Sequence, residues 1–237
     1  MGIVRMGPPT NLISQLNRDF GIKTFVETGT YYGHTAKWAA SIFQEVLTIE
    51  YSRELFEHAK GEHKDSENIK FLFGDSRTVL NEVLPNISSP VLFWLDAHWS
   101  GGKTYGASDQ CPLIDEIEII NQLQPESFIF IDDARLFMSP PQAPHKIDQW
   151  PDIFSTLSAL DVASGQRYSV IIEDVIISVP QYAKQTVAKY CQGVNTKIWA
   201  EYSYQDKLSN SRKALQLILE DIKQPIRSLK SKWAKAR

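Results

Sequence analysis

Asp96 and His98 stand two residues apart, directly after the five apolar residues Val91-Leu92-Phe93-Trp94-Leu95. Asp132 and Asp133 follow a second apolar run, Phe128-Ile129-Phe130-Ile131. A continuous apolar run of this length fits a strand buried on both faces, as in a parallel sheet covered by helices. Open α/β sheets place their ligands at the carboxyl ends of such strands. Two buried strands that both end in acids therefore point to one site. An imidazole that titrates near neutrality suits removal of a hydroxyl proton there. Support of the neighbouring carboxylates is the alternative role for His98, and Asp96 could itself be the base.

A second group of acids lies nearer the N-terminus. Glu27-Thr28-Gly29-Thr30-Tyr31-Tyr32-Gly33 joins a strand over 24–26 to a helix over 34–43. Glycines at such a junction let the backbone approach a ligand closely. A dinucleotide fingerprint would read G-x-G-x-x-G, with a pyrophosphate on the helix N-terminus. Glu27 takes the first position instead. It would repel a pyrophosphate but could accept a hydrogen bond from an ammonium or a ribose hydroxyl. Glu50 ends the next strand, about twenty residues after the glycines, where an acid binds ribose in doubly wound folds. Asp75 follows Gly74 at the end of the third strand, within reach of an adenine amino group. Each acid alone is more often a helix N-cap than a ligand. At three successive strand ends they favour an adenosine-type pocket, with Thr30, Gly33, Tyr51, Ser76 and Asp96 completing the expected contacts.

The elements that must position these residues follow from pattern. Strands are expected over 24–26, 46–49, 69–73, 91–95 and 128–131, alternating with helices over 11–20, 34–43, 52–60, 76–84 and 109–123. Ser52 is the expected cap of the third helix, and Gly21 the stop of the first. After a Pro-rich loop come a helix over 153–160 and strands over 168–172 and 175–179, joined through Glu173-Asp174. Alternating strands and helices imply a parallel sheet with right-handed crossovers. The architecture expected is an α/β, doubly wound, mostly parallel seven-stranded sheet with a C-terminal antiparallel hairpin. Residues 1–180 form the expected main domain. Residues 181–237 form a helical, basic extension, with a helix from about 209 broken at Pro225. Trp99-Ser100-Gly101-Gly102-Lys103-Thr104-Tyr105-Gly106 reads as a lid over the acceptor site, or as an ordinary surface loop.

The bulk numbers limit the partners. With 237 residues, 43% hydrophobic, 22% charged and a formal net charge of −3, the chain has the composition of a soluble globular protein with no call for nucleic acid. The charge is uneven, because from residue 211 onward eight bases face only Glu220 and Asp221. Cys111 and Cys191 make neither a disulfide framework nor a metal motif, which fits a reducing cytoplasm. No signal pattern or transmembrane run is evident.

The Glu27-to-Gly33 loop, Glu50, the Gly74-Asp75 step and the closing hairpin resemble the class I S-adenosylmethionine-dependent methyltransferases over about residues 20–180. Leu95-Asp96-Ala97-His98 with Ile131-Asp132-Asp133 is similar to the metal-dependent sugar O-methyltransferases of the macrocin O-methyltransferase type. That resemblance implies a Rossmann-like methyltransferase fold, S-adenosylmethionine as cofactor, and Asp96, Asp132 and Asp133 as metal ligands with His98 as general base. The residues agree, since acids ending strands about 4.8 Å apart can converge on one ion. Carboxylates and water suit Mg²⁺, or Mn²⁺ or Ca²⁺. The bland alternative is that Asp132 or Asp133 caps the next segment. The expected activity is methylation of a hydroxyl on a sugar or another small hydroxylated metabolite, in a monomer or a homo-oligomer. A nucleotide-binding module that kept the fold without catalysis is the competing reading.

Overall fold

Seven strands order as β3-β2-β1-β4-β5-β7-β6 in one sheet, the doubly wound arrangement expected from the sequence. The computed structural model describes residues 7–88, 90–99, 109–161 and 167–207, together with 106, 210, 212, 214, 215, 218 and 219. The chain runs α1 (Thr10–Phe20), β1 (Thr24–Thr28), α2 (His34–Ala39), β2 (Glu45–Glu50), α3 (Arg53–Glu62), β3 (Ile69–Phe73), α4 (Ser76–Val83) and β4 (Val91–Leu95). It continues with α5 (Leu113–Leu123), β5 (Phe128–Ile131), α6 (Arg135–Met138), α7 (Ile153–Asp161), β6 (Arg167–Ile172), β7 (Val175–Pro180) and α8 (Lys184–Lys207). Strands β3 to β5 are mutually parallel along the sheet, and β7 runs antiparallel between β5 and β6.

The apolar runs explain the centre of the sheet. Every residue of β1, β4 and β5 is buried, because helices cover both faces. Phe93 and Trp94 point to opposite faces and are both essentially inaccessible. Burying each such side chain contributes roughly 1.5–3 kcal/mol. On one face, Val26, Phe93, Ile129 and Ile131 pack against Leu113, Ile117 and Ile120 of α5. Those three recur at helical spacing, so α5 turns one apolar stripe to the sheet.

Local chemistry sets the helix ends. Gly21 adopts φ 64° and its N–H donates to Asn17, which stops α1 as expected. Helix α5 begins at Leu113, not at 109, because Pro112 occupies the cap position and the preceding residues are used in tertiary bonds. Helix α2 ends at Ala39, short of the expected 43. Ser52 precedes α3 but makes no side-chain cap bond; its N–H instead donates to Glu50. The short α6, inside the stretch expected to be loop, was not foreseen.

Two compact units divide the chain, Met1–Val187 and Ala188–Arg237. Ala183 and Val187 are fully buried, so the first turn of α8 packs within the first unit. Among the described residues no helix is long and apolar enough to cross a membrane.

Candidate functional site

The strand order reverses between β1 and β4, and the expected residues gather at the carboxyl edge around that point. Gly29 leaves β1 with φ 86°, and its N–H donates to Ile49 of β2. A Cβ on Gly29 would fall 2.2 Å from the Asp96 carbonyl oxygen. Glycine is therefore required by the approach of the β1 and β4 ends to each other, before any ligand is considered. Gly33 caps α2 at φ 76°, where a Cβ would meet the His63 ring at 2.7 Å. Tyr31 and Tyr32 between them are exposed on the rim.

Glu27 lies beneath this loop, 2% exposed. Its Oε2 accepts from the Thr48 hydroxyl at 2.6 Å, and Thr48 shares a 2.6 Å hydroxyl contact with Thr30. Burial, helped by the charges of Asp96 and Glu50, pushes the Glu27 carboxyl up to about 8, so it is neutral at pH 7. Glu50 ends β2 and accepts from the N–H groups of Tyr31 at 2.9 Å and Ser52 at 2.8 Å. Its pKa stays above the usual range because burial outweighs these bonds. Tyr51 beside it is part-exposed on the rim. Asp75 takes the cap role: it accepts from the Arg77 N–H and pairs through both oxygens with the Arg77 guanidinium at 3.0 and 2.7 Å. Those bonds hold its carboxyl below the usual value. Ser76 is buried at the start of α4.

At the ends of β4 and β5 the acids are held differently. The Asp96 N–H donates to Thr28 and the Asp132 N–H to Leu95, which continue the parallel ladders past the strands. His98 is largely buried, with Nε2 3.3 Å from both Asp96 Oδ1 and Asp133 Oδ2. Neither ring nitrogen has a well-aligned hydrogen bond. Asp132 Oδ1 accepts from the Asp133 N–H at 2.8 Å, and Asp133 itself sits at φ 57°. Asp133 Oδ1 accepts from Arg135 Nη1 at 2.7 Å.

Charge is distributed unevenly among these groups. Burial, then repulsion from Asp132 and Asp133, pushes Asp96 up to about 8 against the pull of His98. Burial and Asp133 push Asp132 up to about 6. Burial opposes ionisation of Asp133 and of His98, but their mutual contact, with Arg135 and Asp96, outweighs it: Asp133 is lowered and His98 raised. The donor types suit a hard cation. Among the described residues, though, no three His, Cys, Asp or Glu side chains are drawn together as a metal site. As placed, Arg135 supplies the fixed counter-charge, and His98 lies between Asp96 and Asp133.

Several further residues meet at this edge. Glu116 of α5 is 1% exposed, faces Ser76 and Thr28, and is pushed up to about 7 by burial. The clue was available: Glu116 falls on the same stripe as Leu113, Ile117 and Ile120. Asp174 sits in the β6–β7 turn at φ 67° and accepts from the N–H of Arg135 at 2.9 Å, while its other oxygen pairs with the Arg135 guanidinium. Because β7 is antiparallel to β5, that turn returns to the carboxyl edge. Trp150 packs on His98 with ring centroids 5.4 Å apart and donates to Gln110. Trp99 is fastened by its N–H to Gln110 and by its carbonyl to His145. Of the expected lid only Trp99 and Gly106 are described; 100–105, with Lys103 and Tyr105, lie outside the described residues. Cys111 is a free thiol whose pKa burial pushes up to about 12, which disfavours the thiolate.

No protein-family model and no curated protein sequence matches the chain. Its backbone is similar to the crystal structure of a candidate caffeoyl-CoA O-methyltransferase from Staphylococcus aureus, at 16% identity, with 75% of this chain and 86% of that one covered and a TM-score of 0.53. It is similar also to a candidate rRNA methylase from Clostridium thermocellum, at 11% identity, with 75% and 99% covered and a TM-score of 0.50. These likenesses establish the fold, which is the Rossmann-like methyltransferase fold.

Proposed function

We propose that this chain is an S-adenosylmethionine-dependent O-methyltransferase acting on a hydroxyl of a sugar or another small hydroxylated metabolite. The observation that carries the reading is the row of Glu27, Glu50 and Asp75 at the ends of three adjacent strands, beside a left-handed glycine turn at the switch point of this fold. Glu50 is the ribose acid. Its backbone bonds fix both oxygens in place and leave each with a further lone pair. Glu27 meets the donor's ammonium group, whose positive charge would draw the proton off a carboxyl held neutral until then. Asp75 presents a carboxylate edge to the adenine amino group while Arg77 keeps it ionised.

The acceptor side follows from the β4–β5 cluster. In-line transfer of a methyl group from sulfonium to oxygen depends mainly on positioning. His98 or Asp96 takes the acceptor proton, and Asp133, held ionised by Arg135, stabilises the imidazolium that results. The same three carboxylates, Asp96, Asp132 and Asp133, are the seat we assign to a hard divalent cation, Mg²⁺ first. Donor chemistry is what supports that assignment, which requires the three to close on the ion, since as placed they are not drawn together. A bound cation would lower the acceptor hydroxyl's pKa.

Calorimetry with S-adenosylhomocysteine, with and without Mg²⁺, tests both parts. The expected result is binding heat for S-adenosylhomocysteine and none for NADH. The reverse pattern sinks the methyltransferase reading. Mg²⁺ should also raise the thermal midpoint and EDTA should remove the gain, because the ion binds only the folded state. Indifference to EDTA and to Asp133→Asn would leave the acids with another role.

A further inference from the structure

The turn between β1 and α2 is held in an unfavourable shape, and one of its anchors has no part in the reading above. Tyr31 sits at φ 50° and Gly33 at φ 76°. A tyrosine in the left-handed region costs free energy, so its surroundings must impose it. On one side the Tyr31 N–H donates to Glu50 Oε2 at 2.9 Å. On the other, the Tyr32 carbonyl oxygen lies 3.0 Å from Nε2 of His63, the residue that ends α3. A carbonyl only accepts, so Nε2 carries a proton and donates it. The His63 backbone is itself fixed, since its N–H donates to Ala59 at 3.1 Å. The fit around the ring is close: a Cβ on Gly33 would meet the ring at 2.7 Å and the Ala59 Cβ at 3.4 Å. A residue without a side chain lets the imidazole come that near.

We infer that His63 is a positioning residue for the cofactor: its bond to the Tyr32 carbonyl holds the turn so that the Tyr31 N–H fixes the Glu50 carboxylate before a ligand arrives. A turn left loose would have to be ordered on binding, and that cost comes out of the affinity. Two neighbouring contacts do not replace this bond. Lys37 Nζ donates to Ser66 Oγ at 2.7 Å, which ties α2 to the segment after α3, but that contact is exposed and leaves the turn untouched. His58, earlier on α3, packs edge to face on the Tyr32 ring with centroids 5.1 Å apart, and so meets the side chain of the turn instead of its carbonyl. The effect on affinity rests on the methyltransferase reading; the clamp on the turn does not.

Amide hydrogen exchange and calorimetry with S-adenosylhomocysteine, both on the full chain, are the test. In the ligand-free protein His63→Ala should speed exchange of the Tyr31 N–H roughly tenfold. His63→Gln should restore slow exchange, because a glutamine amide can donate from near the position of Nε2. S-adenosylhomocysteine should bind roughly three- to tenfold more weakly to His63→Ala and within about twofold of wild type to His63→Gln. His58→Ala is the control and should stay within about twofold of wild type in both measurements. Unchanged Tyr31 exchange in His63→Ala overturns the inference, even if the thermal midpoint falls, because the ring would then only fill space. A loss that glutamine does not restore, or one that His58→Ala matches, overturns it too. If wild type ignores S-adenosylhomocysteine while Tyr31 exchange responds as expected, the clamp is supported and the methyltransferase reading alone fails.

Discussion

At the ends of β2 and β3 each acid has a fixed partner that is not another acid: two main-chain N–H groups for Glu50, a guanidinium for Asp75. At the ends of β4 and β5 the acids face one another, and His98 is shared between two of them without a well-aligned bond to either. The first region is built before any ligand arrives, because backbone donors cannot move far. The second is electrostatically unfinished, and its protonation depends on what enters. A pocket for a constant ligand can be rigid in this way. A place where a proton must leave gains from groups whose ionisation is nearly balanced.

The boundary between the two regions is Gly29, and it is the most sensitive place to break the contrast. Gly29→Ala would place a methyl against the Asp96 carbonyl and force alanine into a left-handed φ. We expect a loss of about 3 kcal/mol or more, roughly 6–12 °C in Tm. Gly21→Ala is the control, since Gly21 also has positive φ but has nothing within 4 Å of its missing Cβ. It should cost only about 1 kcal/mol. Equal losses would mean that the β1–β4 approach is not tight.

Glu27→Gln sharpens the comparison through pH. Burial pushes the Glu27 carboxyl up to about 8 in the folded chain, against an ordinary value of 4.5. Between those values the folded state keeps a proton that the unfolded state has released, so wild type loses stability as pH rises from about 4.5 to about 8. Glutamine has nothing to titrate. The Tm of the variant relative to wild type should therefore rise by several degrees between about pH 5 and pH 8. A difference that stays flat would show that Glu27 is ionised in the folded protein.

Glu50→Ala attacks the prebuilt side directly and should weaken S-adenosylhomocysteine binding about tenfold or more by calorimetry. Asp174→Asn attacks the other side. It keeps an acceptor for the Arg135 N–H and removes only charge, so a loss of about 1 kcal/mol in stability is expected. S-adenosylhomocysteine affinity should be unchanged. If Asp174→Asn weakens cofactor binding as much as Glu50→Ala does, the two regions are one.

Strands β3, β4 and β5 begin and end where the apolar runs do, and the acids that follow them could be read as strand-end residues for that reason. The Asp75 cap was equally legible, because the structure shows Asp75 bonding the Arg77 N–H two residues on. What could not be read depends on distant partners. Ser52 has the right type for a cap, but its N–H is taken by Glu50 and its side chain makes no cap bond. Helix α5 starts late because Gln110 is committed to Lys146 and Trp150, some forty residues ahead. Glu116 is readable as a member of the stripe of Leu113, Ile117 and Ile120, but its neighbours Ser76 and Thr28, on other elements, are not. Asp174 looks like a turn residue until the antiparallel strand carries it back to Asp133 and Arg135.

That return of Asp174 also sets an order of events during synthesis. The acids of β1 to β5 are complete once residue 133 has been made, yet the residue that fastens Arg135 to them arrives only with the last hairpin. A nascent chain stopped before β6 would hold Arg135 through Asp133 alone and leave one edge of β5 unpaired. This corner of the sheet is thus completed late, when nearly the whole first unit has left the ribosome, and a fragment ending before residue 174 would lack the second carboxylate that holds Arg135.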